Sequence, residues 1–159
     1  MKVFTHLDDN GAANMVDVSA KEPTLREAIA EGRITMSSNA ATAIREQLVV
    51  KGDVLAVARV AGIMAAKNTS LNIPLCHPLK LSSVTLDLFV EEDFVAVRGT
   101  VRAFDVTGVE MEALNAVSVA LLSVYDMVKS IDRGMTIGGI ALVSKLGGRS
   151  GAWRANHGQ

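Results

Sequence analysis

Residues 81–103 read LSSVTLDLFVEEDFVAVRGTVRA, and this stretch decides the fold. Val84, Leu86, Leu88 and Val90 alternate with Ser83, Thr85 and Asp87; after the acidic turn Glu91, Glu92 and Asp93, the alternation resumes through Val95, Val97, Gly99, Val101 and Ala103. Successive side chains on a strand point to opposite faces, so a period of two with one apolar set marks a half-buried strand. Two such runs around a short polar turn predict an antiparallel hairpin with one face covered.

The covering helices are sought on either side of it. Upstream, Asp53 suits an N-cap for a helix from Val54 to about Lys67, whose Ala56, Ala61, Gly62, Ala65 and Ala66 allow a neighbour to approach closely. A shorter amphipathic helix is expected from Ser37 or Ser38, through Ala41, Ile44 and Leu48, and is broken at Lys51 and Gly52. Downstream, Thr107 and Glu110 have the spacing of a capping box, opening the longest helix, which runs to about Lys129 or Ser130 and ends near Gly134. Ile140–Val143 supplies a last short strand. Thr24–Gly32 is ambiguous: its composition suits a helix, but Leu25, Ile29 and Ile34 also fit an irregular edge strand. The first 20 or so residues read as a mobile arm, and the Gly-rich stretch from about 146 to 159 as a flexible tail. The order predicts one domain over 1–159 of the α+β class, ferredoxin-like, an antiparallel sheet with helices packed on one face.

Composition narrows the function. Sixteen Lys and Arg against 17 Asp and Glu give a net charge of −1, which argues against a nucleic-acid or anionic-membrane surface. Half the chain is apolar, too much for disorder. The longest stretch without a charge, Ala113–Tyr125, is short for a membrane span. The lone Cys76 excludes an intrachain disulfide, and the N-terminus lacks the apolar core of a signal peptide, so a cytoplasmic protein is expected. Aromatic residues are few, and small smooth side chains favour close packing of helices and subunits.

Few residues stand out for chemistry. No glycine-rich nucleotide motif is complete. Cys76 and His77 are adjacent while His6 and His157 lie near the two ends, which disfavours zinc. Lys51 precedes a helix start, where a cation opposes the dipole but strengthens an anion site; the bland alternative is a solvated loop lysine. His77 sits between Pro74 and Pro78, on a turn with fixed geometry, and is either a presented acid–base group or a buried, hydrogen-bonded side chain. Glu110 is accounted for by the capping box; Glu112 is not. Asp126 follows Glu112 by 14 residues, on nearly the same helix face but about 21 Å away, so the two cannot serve one reacting atom within one chain. Asp126 and Lys129 are i, i+3 neighbours, either a tuned pair or a surface ion pair.

Together these segments resemble a known family. NMVDVS (14–19), KGDV (51–54), AGI (61–63), AAK (65–67), IPLCHPL (73–79), TGVEMEAL (107–114) and YDM (125–127) with Lys129 are similar, in order and from His6 to Gly151, to the MoaC family of molybdenum cofactor biosynthesis. The resemblance implies conversion of a cyclic GTP-derived triphosphate, 3′,8-cyclo-7,8-dihydroguanosine 5′-triphosphate, into cyclic pyranopterin monophosphate with release of diphosphate. It implies a homohexamer, a trimer of dimers, with sites at subunit interfaces. Carried over by position, Asp126, Lys129 and Lys51 are the expected catalytic residues. Leu75, Cys76, His77, Met111 and Glu112 are expected to bind substrate, with basic contacts from Arg26 and Lys145. No cofactor is required by the sequence, although magnesium can accompany a triphosphate.

The chain departs from the family pattern at Asn14, at Ser70–Asn72, at Val106 and at Leu146, and Arg149 stands where a lysine is usual. Arginine keeps the charge but not lysine's capacity to exchange a proton. Two rivals to an enzyme are a nucleotide-binding module without turnover and a structural oligomer. Tight binding without product would mark the first, and absence of nucleotide binding the second.

Overall fold

A computed structural model describes residues 7, 8, 10–148 and 150–156. His6 and the outer part of the N-terminal arm, with Arg149 and His157 of the tail, lie outside the described residues. The sheet holds five antiparallel strands: β1 (Thr24–Thr35), β2 (Leu81–Val90), β3 (Phe94–Asp105), β4 (Thr136–Leu146) and β5 (Trp153–Arg154), in the order β2-β3-β1-β4-β5. Among the described residues there are also four helices: α1 (Ser38–Arg45), α2 (Val54–Lys67), α3 (Thr69–Asn72) and α4 (Glu110–Val128). The predicted hairpin is β2–β3, with Val84 opposite Val101 and Leu88 opposite Val97. Strand β1 lies between β3 and β4, so the first four strands have the split βαβ order of a ferredoxin-like fold.

The ambiguous segment Thr24–Gly32 is thus neither a helix nor an edge strand. It is part of β1, hydrogen-bonded on both sides. Its inward positions are Ala28, Ala30, Gly32 and Ile34, while Leu25 and Ile29 lie on the opposite face. Alanine and glutamate lend the stretch a helical composition, but its small residues answer a tertiary need. A Cβ on Gly32 would stand 3.0 Å from both Leu121 and Val117 of α4, and one on Gly99 of β3 would stand 3.1 Å from Val117. The long helix rests on a floor that bulkier residues would raise.

Helix α4 fills the core with Ala113, Ala116, Val117, Ala120, Leu121 and Val124. It is long and apolar enough, by length and composition alone, to cross a membrane, a property a 13-residue uncharged stretch had not suggested; half of its most apolar window is buried within the domain. Helix α2 lies beside it. Asp53 caps α2 as expected, its Oδ1 accepting from the Ala56 amide at 3.0 Å. Gly62 is the contact point, since a Cβ there would come within 2.8 Å of the Ala116 carbonyl oxygen. Asn115 donates from Nδ2 to the Ala65 carbonyl at 2.9 Å, tying the two helices further along. Ser37 caps α1, accepting from the Ala40 amide at 3.3 Å.

Three further expectations are corrected. The capping box does not form: α4 begins at Glu110, its N-cap position is Val109, and no side chain caps it. The Glu110 carboxylate instead folds over Gly108 and lies 3.5 Å from the Lys145 ammonium. The last strand is not confined to Ile140–Val143. It begins at Thr136, because the chain between Gly138, which pairs with Arg33, and Ala141, which pairs with Glu31, is absorbed as an irregularity of register against β1, with Gly139 at φ +63°. Finally, part of the tail pairs with β4, Arg154 opposite Ser144 and Trp153 opposite Lys145.

Candidate active site

The fold collects the start of β1, the start of β2, the ends of β3 and β4 and the N-terminus of α4 at one end of the domain. There the turn around Pro74, closed by the Cys76 amide donating to the Ile73 carbonyl at 3.1 Å, faces the first turn of α4. Between them lies a cavity of about 520 Å³. It is lined by Leu75, Cys76 and His77 from the turn, Met111 and Glu112 from the helix, and Asp17 and Lys21 from the arm. Five residues expected to bind substrate therefore meet in one place.

Glu112 sets the chemistry of this cavity. It is 4% exposed, and burial, together with the nearby carboxylates of Glu110 and Asp105, pushes its carboxyl up to about 7. Near neutrality it is present in both protonation states, which suits a group that must give and take protons. Cys76 stands under the same influences: burial first, then the charge of Glu112, raise its thiol above the ordinary range. The neutral thiol is a weak donor, not a nucleophile.

Lys145 stands at the border through its ion pair with Glu110, and also donates to the Ser150 hydroxyl. Arg26 is not in the lining of this cavity. The residue is 8% exposed, and its guanidinium donates to the carbonyl oxygens of Asp105 at 3.1 Å and Val106 at 3.0 Å.

The remaining candidates meet at the opposite end of α4. Lys51 does not turn back to the α2 amides it precedes, one of which Asp53 already occupies. It reaches α4, donating to the Asp126 carbonyl at 2.8 Å and to Asp126 Oδ2 at 2.9 Å. A helix C-terminus carries unsatisfied carbonyls and the negative end of the dipole, so the ammonium is better placed there. Lys129 approaches the other carboxylate oxygen at 2.7 Å. These two lysines hold the Asp126 carboxyl down at about 2. All three side chains are about half exposed, so the ion pairs add little to stability. An ammonium has three donors. Lys51 has one left and Lys129 two, which a ligand with several anionic oxygens could accept.

Two clusters thus stand one α4 length apart, as the helix spacing required. No group of three His, Cys, Asp or Glu side chains converges to hold a metal among the described residues. A further concavity of about 530 Å³ on the uncovered sheet face holds no candidate residue, and its Glu31 and Arg98 are paired with each other. Asp17 and Lys21 were not singled out from the sequence as site residues. The signal for the first was present in the NMVDVS segment, which carried resemblance without an assigned role.

The sequence profile of the MoaC family matches residues 15–148. A protein of Methylobacterium nodulans is 57% identical over 157 residues, covering 98% of either chain, and one of Thermomicrobium roseum is 54% identical over 156 residues, covering 97% of this chain and 94% of its own. A third, from a Nocardioides species, is 55% identical over 153 residues, with 94% of each chain covered. All three bear the name cyclic pyranopterin monophosphate synthase.

Proposed function

The chain belongs to the MoaC family, and on that premise we propose that it is a cyclic pyranopterin monophosphate synthase of molybdenum cofactor biosynthesis. It converts 3′,8-cyclo-7,8-dihydroguanosine 5′-triphosphate to cyclic pyranopterin monophosphate and diphosphate. The observation that carries this reading is the presence, in one chain, of two clusters, a cavity around a proton-exchanging carboxyl and a lysine pair on Asp126, that together suit the proton transfers and the anionic charge of that reaction. The purine-derived ring system must open and rearrange, which requires proton transfers. A sugar hydroxyl must close on the α-phosphorus and expel the β,γ-diphosphate, which requires that anionic charge be met.

The cavity around Glu112 takes the base and sugar. Leu75 and Met111 offer apolar contact, while His77 and the Cys76 thiol can hydrogen-bond the heterocycle. Glu112, poised between its two protonation states, shares in the proton transfers. At the other cluster Lys51 meets phosphate charge, and Lys129, oriented by Asp126, acts on protons during ring rearrangement. Lys145 adds a basic contact at the cavity border. The lysines supply the positive charge for the triphosphate, and magnesium enters, where it enters, with the substrate.

The two clusters act on one substrate only if different subunits supply them, as in a homohexamer built as a trimer of dimers. Val57, Val60 and Met64 support such assembly: all are exposed at helical spacing along α2. We place the reaction in the cytoplasm, where an unpaired thiol such as Cys76 stays reduced.

The test follows pterin product and diphosphate together, using purified protein and authentic substrate. Lys51→Ala and Lys129→Ala are each expected to lower turnover by about 100-fold or more. Near-wild-type turnover in both would remove these assignments, and tight binding by the wild type without product would leave a nucleotide-binding module.

A further inference from the structure

We propose that Thr69 is a positioning residue for this reaction: with Asn115 of α4 it hangs the turn carrying Cys76 and His77 on the helix that carries Met111 and Glu112, and so fixes the two walls of the cavity against each other. The proposal rests on the activity assigned above and names the contact that holds its base-and-sugar site in shape.

Thr69 is 1% exposed, and neither it nor Asn115 lines the cavity, so its hydroxyl is not offered to a substrate. A buried hydroxyl must find partners. This one sits where α2 ends, sharing its proton between the carbonyl oxygens of Ala66 at 3.0 Å and Ala65 at 3.1 Å. It accepts from Asn115 Nδ2 at 3.2 Å. Asn115 gives its other amide hydrogen to the Ala65 carbonyl at 2.9 Å, so both donors of one side chain close on the end of α2. Apolar contact between the two helices has no direction of its own, whereas these bonds set one alignment.

The hold reaches the cavity by two short routes. On the turn side, the Thr69 carbonyl accepts from the Ile73 amide at 2.9 Å and the Ile73 carbonyl from the Cys76 amide at 3.1 Å. Each bend is bonded to the one before it, with Pro74 fixing the backbone between them. On the helix side, Asn115 follows Met111 by four residues and Glu112 by three, the spacings of neighbours on a helix surface. A shift at Thr69 therefore moves one wall of the cavity and not the other.

The consequence is read at Glu112. Burial is the main reason its carboxyl is raised, and Glu110 and Asp105 add to it; Lys145 is paired with Glu110, and Cys76, His77, Asp17 and Lys21 share the cavity. A turn that swings away admits water, and the carboxyl moves down toward the ordinary range. Valine has nearly the shape of threonine without the hydroxyl, so Thr69→Val cuts the link. Thr69→Ser keeps the link and removes only the methyl.

The experiment compares full-length wild type, Thr69→Val and Thr69→Ser, measuring kcat, KM and the pH–rate profile, and following the Glu112 carboxyl by NMR titration without substrate. Expected for Thr69→Val are a loss in kcat/KM of about tenfold or more and a Glu112 titration moved down by about half a unit or more. Thr69→Ser should keep kcat/KM within about threefold of wild type, with the titration in place. Asn115→Ala cuts the link from the other side while favouring the helix, should move the titration the same way, and keeps the question decidable should Thr69→Val fail to fold. Because both changes cut one link, the double variant should lose little more turnover than the worse single one. A Glu112 titration unmoved in Thr69→Val and Asn115→Ala would overturn the proposal. So would a Thr69→Ser variant as impaired as Thr69→Val, since the cause would then be packing of the methyl. Failure of the wild type to release diphosphate would sink the assigned activity instead, with the titrations still deciding whether Thr69 and Asn115 hold the cavity in shape.

Discussion

Glu112 places a carboxyl in the domain at a position where ionisation is disfavoured. Its folded-state value of about 7 lies above the ordinary 4.5, so between these values the folded protein holds a proton that the unfolded chain has released. The stabilisation from that proton is complete below the ordinary value, declines as pH rises, and is gone above about 7. Glu112→Gln removes the burden of a buried charge. At pH 8 the variant should be more stable than wild type by about 1–3 kcal/mol, with the gap narrowing toward pH 5, while turnover is lost. Urea unfolding at the two pH values checks this, and a variant less stable than wild type at pH 8 would contradict it. The residue was visible in the sequence as an unexplained acid beside an apparent cap. Its burial was not, because that depends on the turn around Pro74 folding over the first turn of α4, a contact between segments more than 30 positions apart. Lys51 was similarly visible as a lysine out of place, but the carbonyl it reaches belongs to a helix end that periodicity alone does not bring near.

At the level of elements, the hairpin and α2 were legible because their patterns are local: a period of two, and an N-cap followed by a helical run. Of the small residues of α2 read as a close-packing surface, Gly62, Ala65 and Ala66 are buried, whereas Ala61 is half-buried and Ala56 is exposed; Gly62 offers a test. In a helix interior, Gly→Ala ordinarily raises stability by up to about 1 kcal/mol. Here the added methyl would crowd the Ala116 carbonyl and Leu86, so Gly62→Ala should instead be destabilising by about 1–3 kcal/mol. Thermal or urea unfolding decides, and a gain in stability would mean the helices can separate without loss. Strand β1 was not legible in the same way. Its Ala and Glu residues favour a helix locally, and only partners on both sides, with α4 resting on Gly32, make an extended chain the better solution. The capping box failed for a related reason: Glu110 finds Lys145, a long-range partner that spacing along the helix does not register.

At the scale of the molecule, the family and the order of its segments could be read from the sequence, and so could the separation of Glu112 from Asp126. What could not be read is how the candidates divide: one group gathers at the N-terminal end of α4, the other at its C-terminal end. That division follows from sheet order, which sets the start of β1 and the ends of β3 and β4 around one end of the helix. The central claim is that catalysis joins the two clusters from different chains. Co-expression of Glu112→Gln chains with chains carrying both Lys51→Ala and Lys129→Ala tests it most directly. If each site takes one cluster from each of two chains, random assembly restores about a quarter of the wild-type turnover although each variant alone is inactive. A mixed assembly no more active than either variant would contradict the account.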